Sequence, residues 1–328
     1  MRAAAWTSNA GGIEKNFKVN ANAPLPKTTK ALPPDSTLVR VSYASLNPVD
    51  YKVAEAPIVG SYFMSRIPGL DFAGTVVESK LAHLKPGEPV FGQLAMPNFG
   101  SLGEYVVVPK QSTIPVPNGV KLEDAATVGV AGLTAYQCIE PFVKSGDKIF
   151  INGGSGGVGT FGIQIAKALG CHVTTTCSGP NVDLCKSLGA DEVIDYRTEN
   201  VVDSLKRSGK QYDLFVDNVF ADTTLYWQSH HYLKPQGRFI TVAGSPSLPF
   251  LLDMAMVMML PTWLGGGQRK FQFVTCTANA AQYEKIANWL KEGKVKPVIE
   301  KVYDLGETGQ AYERLKSGRT RGKLVVKI

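Results

Sequence analysis

The stretch at residues 148–178, KIFINGGSGGVGTFGIQIAKALGCHVTTTCS, constrains the fold more than any other part of the chain. A short apolar run, Ile149, Phe150 and Ile151, enters a glycine-rich turn. Beyond it Phe161, Ile163, Ile165, Ala166 and Leu169 recur at roughly helical spacing, and Gly170 leads into a β-rich run at 172–176. The order is strand, tight turn, helix, strand, and the turn reads G-x-G-x-x-G through Gly154, Gly156 and Gly159. Each glycine serves a different end: one permits the turn, one lets backbone approach a pyrophosphate, and one lets helix and strand pack closely. The helix N-terminus then offers free N–H groups and a partial positive charge to phosphates. The stretch predicts a dinucleotide-binding βαβ unit.

At 328 residues the chain exceeds the usual size of one core, so two domains are expected. The net charge of +7 comes from 35 Lys and Arg spread along the sequence without a basic block. An anionic dinucleotide accounts for it more simply than nucleic acid does, and no nucleic-acid partner is expected. Five cysteines, Cys138, Cys171, Cys177, Cys185 and Cys276, form an odd set without C-x-x-C spacing, which points to a reducing compartment. The N-terminal MRAAAWTSNAGG has neither the apolar core of a secretory signal nor the arginines of a transit peptide, so a cytoplasmic location is expected. The run FLLDMAMVMML at 250–260 is too short to span a bilayer; it reads as a buried helix, with a mobile greasy lid as the functional alternative.

Before the glycine turn the chain is written in short strands separated by Gly and Pro: LVRVSYASL at 38–46, IPGLDFAGTVVE at 67–78, KPGEPVFG at 85–92 and GSLGEYVVVP at 100–109. That grammar predicts a compact, barrel-like β domain. Small and apolar residues at helical spacing in LEDAATVGVAGLTAYQCI, 122–139, place a helix and the domain crossing there. After the turn, strands at 191–196, 212–219, 237–244 and 270–277 alternate with helical segments, which implies a parallel, doubly wound sheet. A helix at 280–292 leads to VKPVIEKVYDL and GKLVVKI, expected to return to the first domain. The reading is therefore an α/β chain with a β-rich domain at 1–123 and 299–328 and a Rossmann domain at 124–298.

The strand at 172–177 ends in Cys177-Ser178-Gly179, with no carboxylate to hold the ribose hydroxyls of NAD. A small neutral end leaves room for a 2′-phosphate, with Ser178 as donor and Tyr196 or Arg197 as further donors, so NADPH is the expected cofactor. No Cys, His and carboxylate set has zinc spacing, and no metal is expected. Hydride transfer would then rest on positioning and polarisation. Lys52, with Asn47 and Asp50 orienting nearby groups, is the candidate for stabilising charge on a substrate oxygen, and Tyr62 or a water the candidate proton donor.

The segments SLNPVDYK, PGLDFAGTVVE, KPGEPVFG, GSLGEYVVVP, AATVGVAGLTAY, NGGSGGVGTFGIQIAKALG, SLGADEVIDYR and GKLVVKI run through the chain in an order and spacing that resemble the zinc-free medium-chain dehydrogenases/reductases. The resemblance is to the branch of quinone oxidoreductases, zeta-crystallin and the plant chloroplast-envelope alkenone reductases. It implies a GroES-like substrate domain beside a Rossmann domain, bound NADPH and commonly a homodimer. In zinc-dependent relatives a cysteine and a His-Glu pair stand where this chain has Asn47 and Leu70-Asp71. Carried over by motif, Asn47, Thr134, Ala243, Phe273 and Val274 would surround the nicotinamide. Gly154, Ser155, Gly156, Gly157, Val158 and Gly159 would carry the pyrophosphate, Ser178 and Tyr196 the 2′-phosphate, and Asn218 would sit at the tip of the fourth Rossmann strand. The implied activity is NADPH-dependent reduction of the double bond of a small apolar enone or enal, or of a quinone. Fungal trans-acting enoyl reductases that work on carrier-bound polyketide or acyl chains share the NPxDYK pattern and give one alternative. A non-catalytic, zeta-crystallin-like dinucleotide- or RNA-binding role gives another.

Overall fold

The computed structural model describes residues 1–26, 32–56, 60, 65–95, 98–242, 244 and 248–328, without the side chains of 248 and 249. It forms two compact units, Thr134–Cys276, and Met1–Leu133 together with Thr277–Ile328.

The first unit is built on seven strands before the crossing: β1 (Ala3–Trp6), β2 (Phe17–Asn20), β3 (Ser36–Ser45), β4 (Asp71–Ser79), β5 (Pro89–Gln93), β6 (Tyr105–Pro109) and β7 (Thr113–Pro115). The second unit supplies β8 (Lys148–Asn152), β9 (His172–Cys177), β10 (Glu192–Asp195), β11 (Tyr212–Asp217), β12 (Leu233–Thr241) and β13 (Lys270–Phe273). The chain then returns to the first unit with β14 (Ile299–Asp304) and β15 (Lys323–Lys327).

In the second unit the sheet order is β10-β9-β8-β11-β12-β13, and every pairing is parallel. This is the doubly wound order with the switch point between β8 and β11, where such sheets bind their ligands. The sequence KIFIN explains why β8 is central. Ile149 and Ile151 enter one apolar cluster and Phe150 the other, so both faces of the strand are buried. Phe150, Phe215, Phe239 and Phe271 stand in register across β8, β11, β12 and β13. The Phe150–Phe215 and Phe215–Phe239 rings lie 4.5 and 4.6 Å apart, and such pairs contribute about 0.5–1.5 kcal/mol each beyond their burial.

The first unit carries a second sheet, β14-β15-β3-β4-β5-β7, with β6 also paired to β3, and a separate β1–β2 pair. The expected β-rich domain is therefore present, closed by the last strands of the chain. Its limits lie at 133/134 and 276/277 rather than at 123/124 and 298/299. The helix Leu122–Ala125 packs on β3, β4 and β5. The helix Ala280–Lys291 buries Tyr283, Ile286, Ala287 and Leu290 and packs on β7. Tyr283 sets its ring edge-on to Phe91 at 6.0 Å and donates to the Gly129 carbonyl at 3.3 Å.

The helix expected over 122–139 is broken into the helix Leu122–Ala125, a wide π turn at Val128–Gly132 and the helix Leu133–Ile139. The break has a partner: the Val130 N–H donates to Asp71 Oδ1 at 2.7 Å. A Cβ on Gly129 would collide with that carboxylate oxygen, so glycine is what admits it. The apolar run does form a helix, Leu248–Met259, but it is not the buried helix expected. Val257 is buried and Phe250 and Met254 pack inward, while Leu251, Leu252, Met256, Met258 and Met259 are more than half exposed.

Candidate functional site

Parallel pairing puts the C-terminal ends of all six strands on one edge of the second unit. Asn152, Cys177, Asp195, Asp217, Thr241 and Phe273 close their strands there. At β8 the chain turns through Gly153, whose φ of 81° favours glycine, and a helix runs from Gly157 to Ala168 with Gly156 as N-cap. The space around the three motif glycines differs from one to the next. A Cβ on Gly154 would collide with Thr175 Oγ1, and one on Gly159 with the Gly153 carbonyl. On Gly156 its nearest neighbour would be the Gly153 carbonyl oxygen at 3.6 Å, so that face is left open. The first turn of a helix leaves its N–H groups without partners inside the helix, and here those of Gly157, Val158 and Gly159 begin beside the open face.

The turn is anchored to its neighbours by side chains that sequence reasoning missed. Thr176 donates to Asn152 Oδ1 at 2.5 Å and accepts from the Gly153 N–H at 2.9 Å. Asn152 Nδ2 donates to Asp217 Oδ1 at 2.8 Å, and the same oxygen accepts from the N–H groups of Val219 and Phe220. Burial pushes the Asp217 carboxyl up, against the stabilisation given by those three donors. Phe220, buried and bulky, takes a φ of 43° in this corner, a strained conformation of the kind that clusters at functional sites. Beside it Asn218 has both side-chain atoms, Nδ2 and Oδ1, buried without a partner. Gly153 lies against it, since a Cβ there would sit 3.8 Å from the Asn218 Cβ. The exit from β9 holds Ser178, and Asn181 Nδ2 reaches both Ser178 Oγ (3.1 Å) and Ser155 Oγ (3.3 Å).

The second unit thus gathers Gly154, Ser155, Gly156, Gly157, Val158, Gly159, Ser178 and Asn218 around one turn. Tyr196 joins through its N–H, which donates to the Cys177 carbonyl at 3.2 Å, and its side chain is 53% exposed. Phe273 ends β13, and Val274 follows with its N–H on the Thr241 carbonyl at 2.9 Å. Thr134 is buried at the start of its helix. Ala243 and Tyr62 lie outside the described residues. One expectation needs correction. Asp195 pairs in register with Cys177, and a Cβ on Gly179 would lie 2.7 Å from Asp195 Oδ2. A carboxylate does stand at the β9 end, supplied across the ladder by β10 rather than along the strand.

In the first unit Asn47 caps the helix Pro48–Ala54, with Pro48 at the position where its missing N–H costs nothing. The Asn47 N–H donates to Asp50 Oδ2 at 2.8 Å, and the Asn47 amide is turned inward instead of capping. Its Nδ2 donates to Asp71 Oδ2 (2.8 Å), while its Oδ1 accepts from Lys323 Nζ (2.6 Å). Lys323 also donates to the Leu46 carbonyl at 2.9 Å and to Asp71 Oδ2 at 3.4 Å, and Tyr312 donates to Asp50 Oδ2 at 3.3 Å. All five side chains are at least 97% buried. Burial pushes Asp50 up to about 7, with the nearby Asp71 charge adding to it and the Asn47 N–H, Lys323 and Tyr312 opposing. Burial likewise raises Asp71 and Tyr312 and lowers Lys323. Asn47 and Asp50 are thus brought together, but in a buried cluster, in which Asp50 Oδ1 has no hydrogen-bond partner. Lys52 lies two residues further along the same helix, half-buried, and burial holds its ammonium below the usual lysine range.

Among the described residues no group of three or more His, Cys, Asp or Glu could hold a metal ion. Residues 33–118 match the alcohol dehydrogenase GroES-like domain, and residues 188–326 match the zinc-binding dehydrogenase family. The chain is 44% identical to the trans-enoyl reductase pgmF of Aspergillus terreus, over 100% of this chain and 96% of that one. It belongs to the medium-chain dehydrogenase/reductase family. Its branch is that of the quinone oxidoreductases and enoyl reductases. The chloroplastic quinone-oxidoreductase homolog of Spinacia oleracea is 31% identical over 99% of this chain and 98% of its own. The solved quinone oxidoreductase from Coxiella burnetii superposes with a TM-score of 0.85, at 28% identity, over 100% of this chain and 99% of that one. As a medium-chain dehydrogenase/reductase the protein is an oxidoreductase of an NAD(P)H-dependent family. Nothing in these likenesses supports the non-catalytic alternative.

Proposed function

We propose that this protein is an NADPH-dependent reductase of a carbon–carbon double bond conjugated to a carbonyl. The observation that carries the reading is the 44% identity, along the whole chain, to a trans-enoyl reductase. The turn at Gly153–Gly159 supports the cofactor: its middle glycine is open, and the adjoining Asn218 amide is buried without a partner. Unpaired buried amides are costly unless a ligand satisfies them. In this reading the turn residues Gly154, Ser155, Gly156, Gly157, Val158 and Gly159 hold the pyrophosphate, and Asn218 hydrogen-bonds the nicotinamide half. Asn47, Thr134, Ala243, Phe273 and Val274 belong to the nicotinamide environment, with Asn47 acting through the backbone turn it fixes. When bound, the dinucleotide supplies a hydride to the β-carbon of the substrate, leaving an enolate. Lys52 offers a cation to that enolate oxygen, helped by the burial that keeps its ammonium short of solvent, and Tyr62 or a water protonates the neighbouring carbon.

Choice of NADPH over NADH rests on opposing parts. Ser178, the exposed Tyr196 and Arg197 favour a 2′-phosphate, and the Asp195 carboxylate works against it. The functional unit is proposed to be a homodimer, in keeping with the exposed apolar helix Leu248–Met259 and the open edge of β13.

The test is NADPH oxidation followed with matched substrates: a free enone, a free quinone, and an α,β-unsaturated acyl chain presented as thioester and on an acyl-carrier protein. Turnover of the double-bond substrates with NADPH preferred is the expected result. Reduction of the carrier-bound chain alone would select the trans-acting reading that the pgmF likeness favours. Reduction of the quinone alone would select the reading favoured by the Spinacia oleracea relative. No turnover of any of them would sink the proposal.

A further inference from the structure

The 35 Lys and Arg form no block in the sequence, yet the fold gathers one in the first unit. Residues 291–301 carry four lysines against Glu292 and Glu300, a net +2, and residues 314–321 carry four basic residues and no acid, a net +4. These two segments together hold +6, where the whole chain holds +7. Strand pairing brings them side by side: β14 runs parallel to β15, and the Lys323 N–H at the start of β15 donates to the Val298 carbonyl at 2.8 Å. Gly322 permits that approach, with a φ of 63° and the Val298 carbonyl oxygen standing where its Cβ would be. Hydrogen bonds then tie the loop down. Arg314 pairs with Glu300 through Nε (2.6 Å) and Nη2 (3.1 Å), and its Nη2 also donates to the Arg319 carbonyl at 2.9 Å. The Arg321 N–H donates to Glu300 Oε2 at 2.6 Å.

Both acids of the face are spent within it, Glu300 on Arg314 and the Arg321 N–H, and Glu292 on Lys294 at 2.8 Å. Lys316 turns elsewhere, onto Glu14 and Glu55, and Lys301 lies over the Tyr303 ring. What reaches solvent is cationic: Lys291, Lys294, Lys296, Arg319 and Arg321 are all exposed. Like charges held this close repel one another and add nothing to the fold. Their effect is on encounter, since a face of one sign concentrates and steers a partner of the other. The face also adjoins the reaction side of the unit along the chain. Lys323 follows Gly322 directly and donates to Asn47 Oδ1 at 2.6 Å, and Asn47 begins the helix that carries Lys52. We propose that this face docks an acidic acyl-carrier protein, which presents the enoyl chain to be reduced. The inference rests on the enoyl-reductase reading given above and adds to it a partner and a surface. An RNA strand is tracked along its backbone by a charged groove, whereas these cations sit where two segments meet at one strand start.

The experiment compares NADPH-dependent reduction of a crotonyl group carried by an acidic acyl-carrier protein with reduction of the same group as a short free thioester. For the wild-type chain at low salt, KM is expected to be lower for the carrier-bound form and to rise with salt, as screening weakens the attraction. In the double variant Lys296→Glu, Arg319→Glu the carrier-bound KM is expected to rise about tenfold with kcat unchanged. The free thioester should be used within about twofold of wild type, which shows that the variant folds and that its chemistry is intact. The charge-keeping double variant Lys296→Arg, Arg319→Lys should retain the wild-type KM for both. An unchanged carrier-bound KM after charge reversal overturns the inference. So does a wild-type chain that uses the free thioester as well as the carrier-bound form. If a labelled single-stranded RNA binds the wild type and is lost on charge reversal while carrier kinetics stay the same, the face belongs to RNA and the inference falls. If the wild type reduces neither crotonyl substrate, the enoyl-reductase reading itself fails and takes this inference with it.

Discussion

Asp71 in the first unit and Asn218 in the second both bury polar side-chain atoms, and they are treated in opposite ways. Each oxygen of the Asp71 carboxylate is occupied, Oδ1 by the Val130 N–H and Oδ2 by Asn47 and Lys323. Neither polar atom of Asn218 has a partner, and the same is true of Asn181 Oδ1. A protein tolerates the cost of buried polarity either by closing the network on itself or by leaving it open for something else to close. The cluster under the helix Pro48–Ala54, closed around Asp71 with Asp50 Oδ1 left bare, is therefore read as architecture, and the bare amides at the edge of the parallel sheet as a binding site.

The largest test of this contrast is Lys323. Lys323→Met leaves Asp71 buried beside Asp50 without a cation, and should lower unfolding free energy by about 3–5 kcal/mol in a denaturant titration. Asn218→Ala removes only unpaired atoms, so its stability should stay within about 0.5 kcal/mol of wild type while dinucleotide affinity falls about tenfold. If Asn218→Ala proved the more destabilising of the two, the distinction between sealed and open polarity would collapse. The glycines offer the same test within one turn. Gly159→Ala forces a Cβ into the Gly153 carbonyl and should cost about 1–3 kcal/mol of stability. Gly156→Ala meets nothing closer than 3.6 Å, so it should fold normally and lose dinucleotide binding. Normal binding by Gly156→Ala would show that the open face is not where the phosphates lie.

Asp50 sharpens the contrast through pH. Its carboxyl is pushed up to about 7, above the usual value near 3.9 of an unfolded chain. A folded-state value raised in this way contributes stability that is complete below about pH 4 and is lost as pH rises through about 7. Asp50→Asn should remove that part of the pH dependence of unfolding, seen as a flatter midpoint between pH 4 and 7. An unchanged slope would mean that Lys323 keeps Asp50 ionised throughout. The smallest expected effect is at Asp195: Asp195→Asn should shift the ratio of NADPH to NADH affinity a few-fold toward NADPH.

The second unit was legible in the sequence because its signals are local. The run Ile149-Phe150-Ile151, the glycine turn and the following helix lie within one stretch, and each element carries its own period. The cluster around Asp71 was not legible. Asn47, Asp71, Tyr312 and Lys323 are gathered from the two ends of the chain, and nothing in GKLVVKI marks its lysine as a buried partner rather than a strand-edge charge. Asp195 was missed for a related reason, since it reaches the β9 end through strand register, which a single sequence does not show. The apolar run at 250–260 was correctly given as a helix, but apolar content alone does not say which face meets a core.

Lys323 sits on β15, which lies between β14 and β3 in the sheet of the first unit. During synthesis the second unit has all six of its strands before β14 exists, whereas Asp71 waits for its cation until β15 has been made. Until then the first unit holds two carboxylates in a half-built interior and lacks an inner strand. On the ribosome the order of completion should therefore invert the order of the sequence, with the Rossmann unit finished first and the unit that begins the chain finished last.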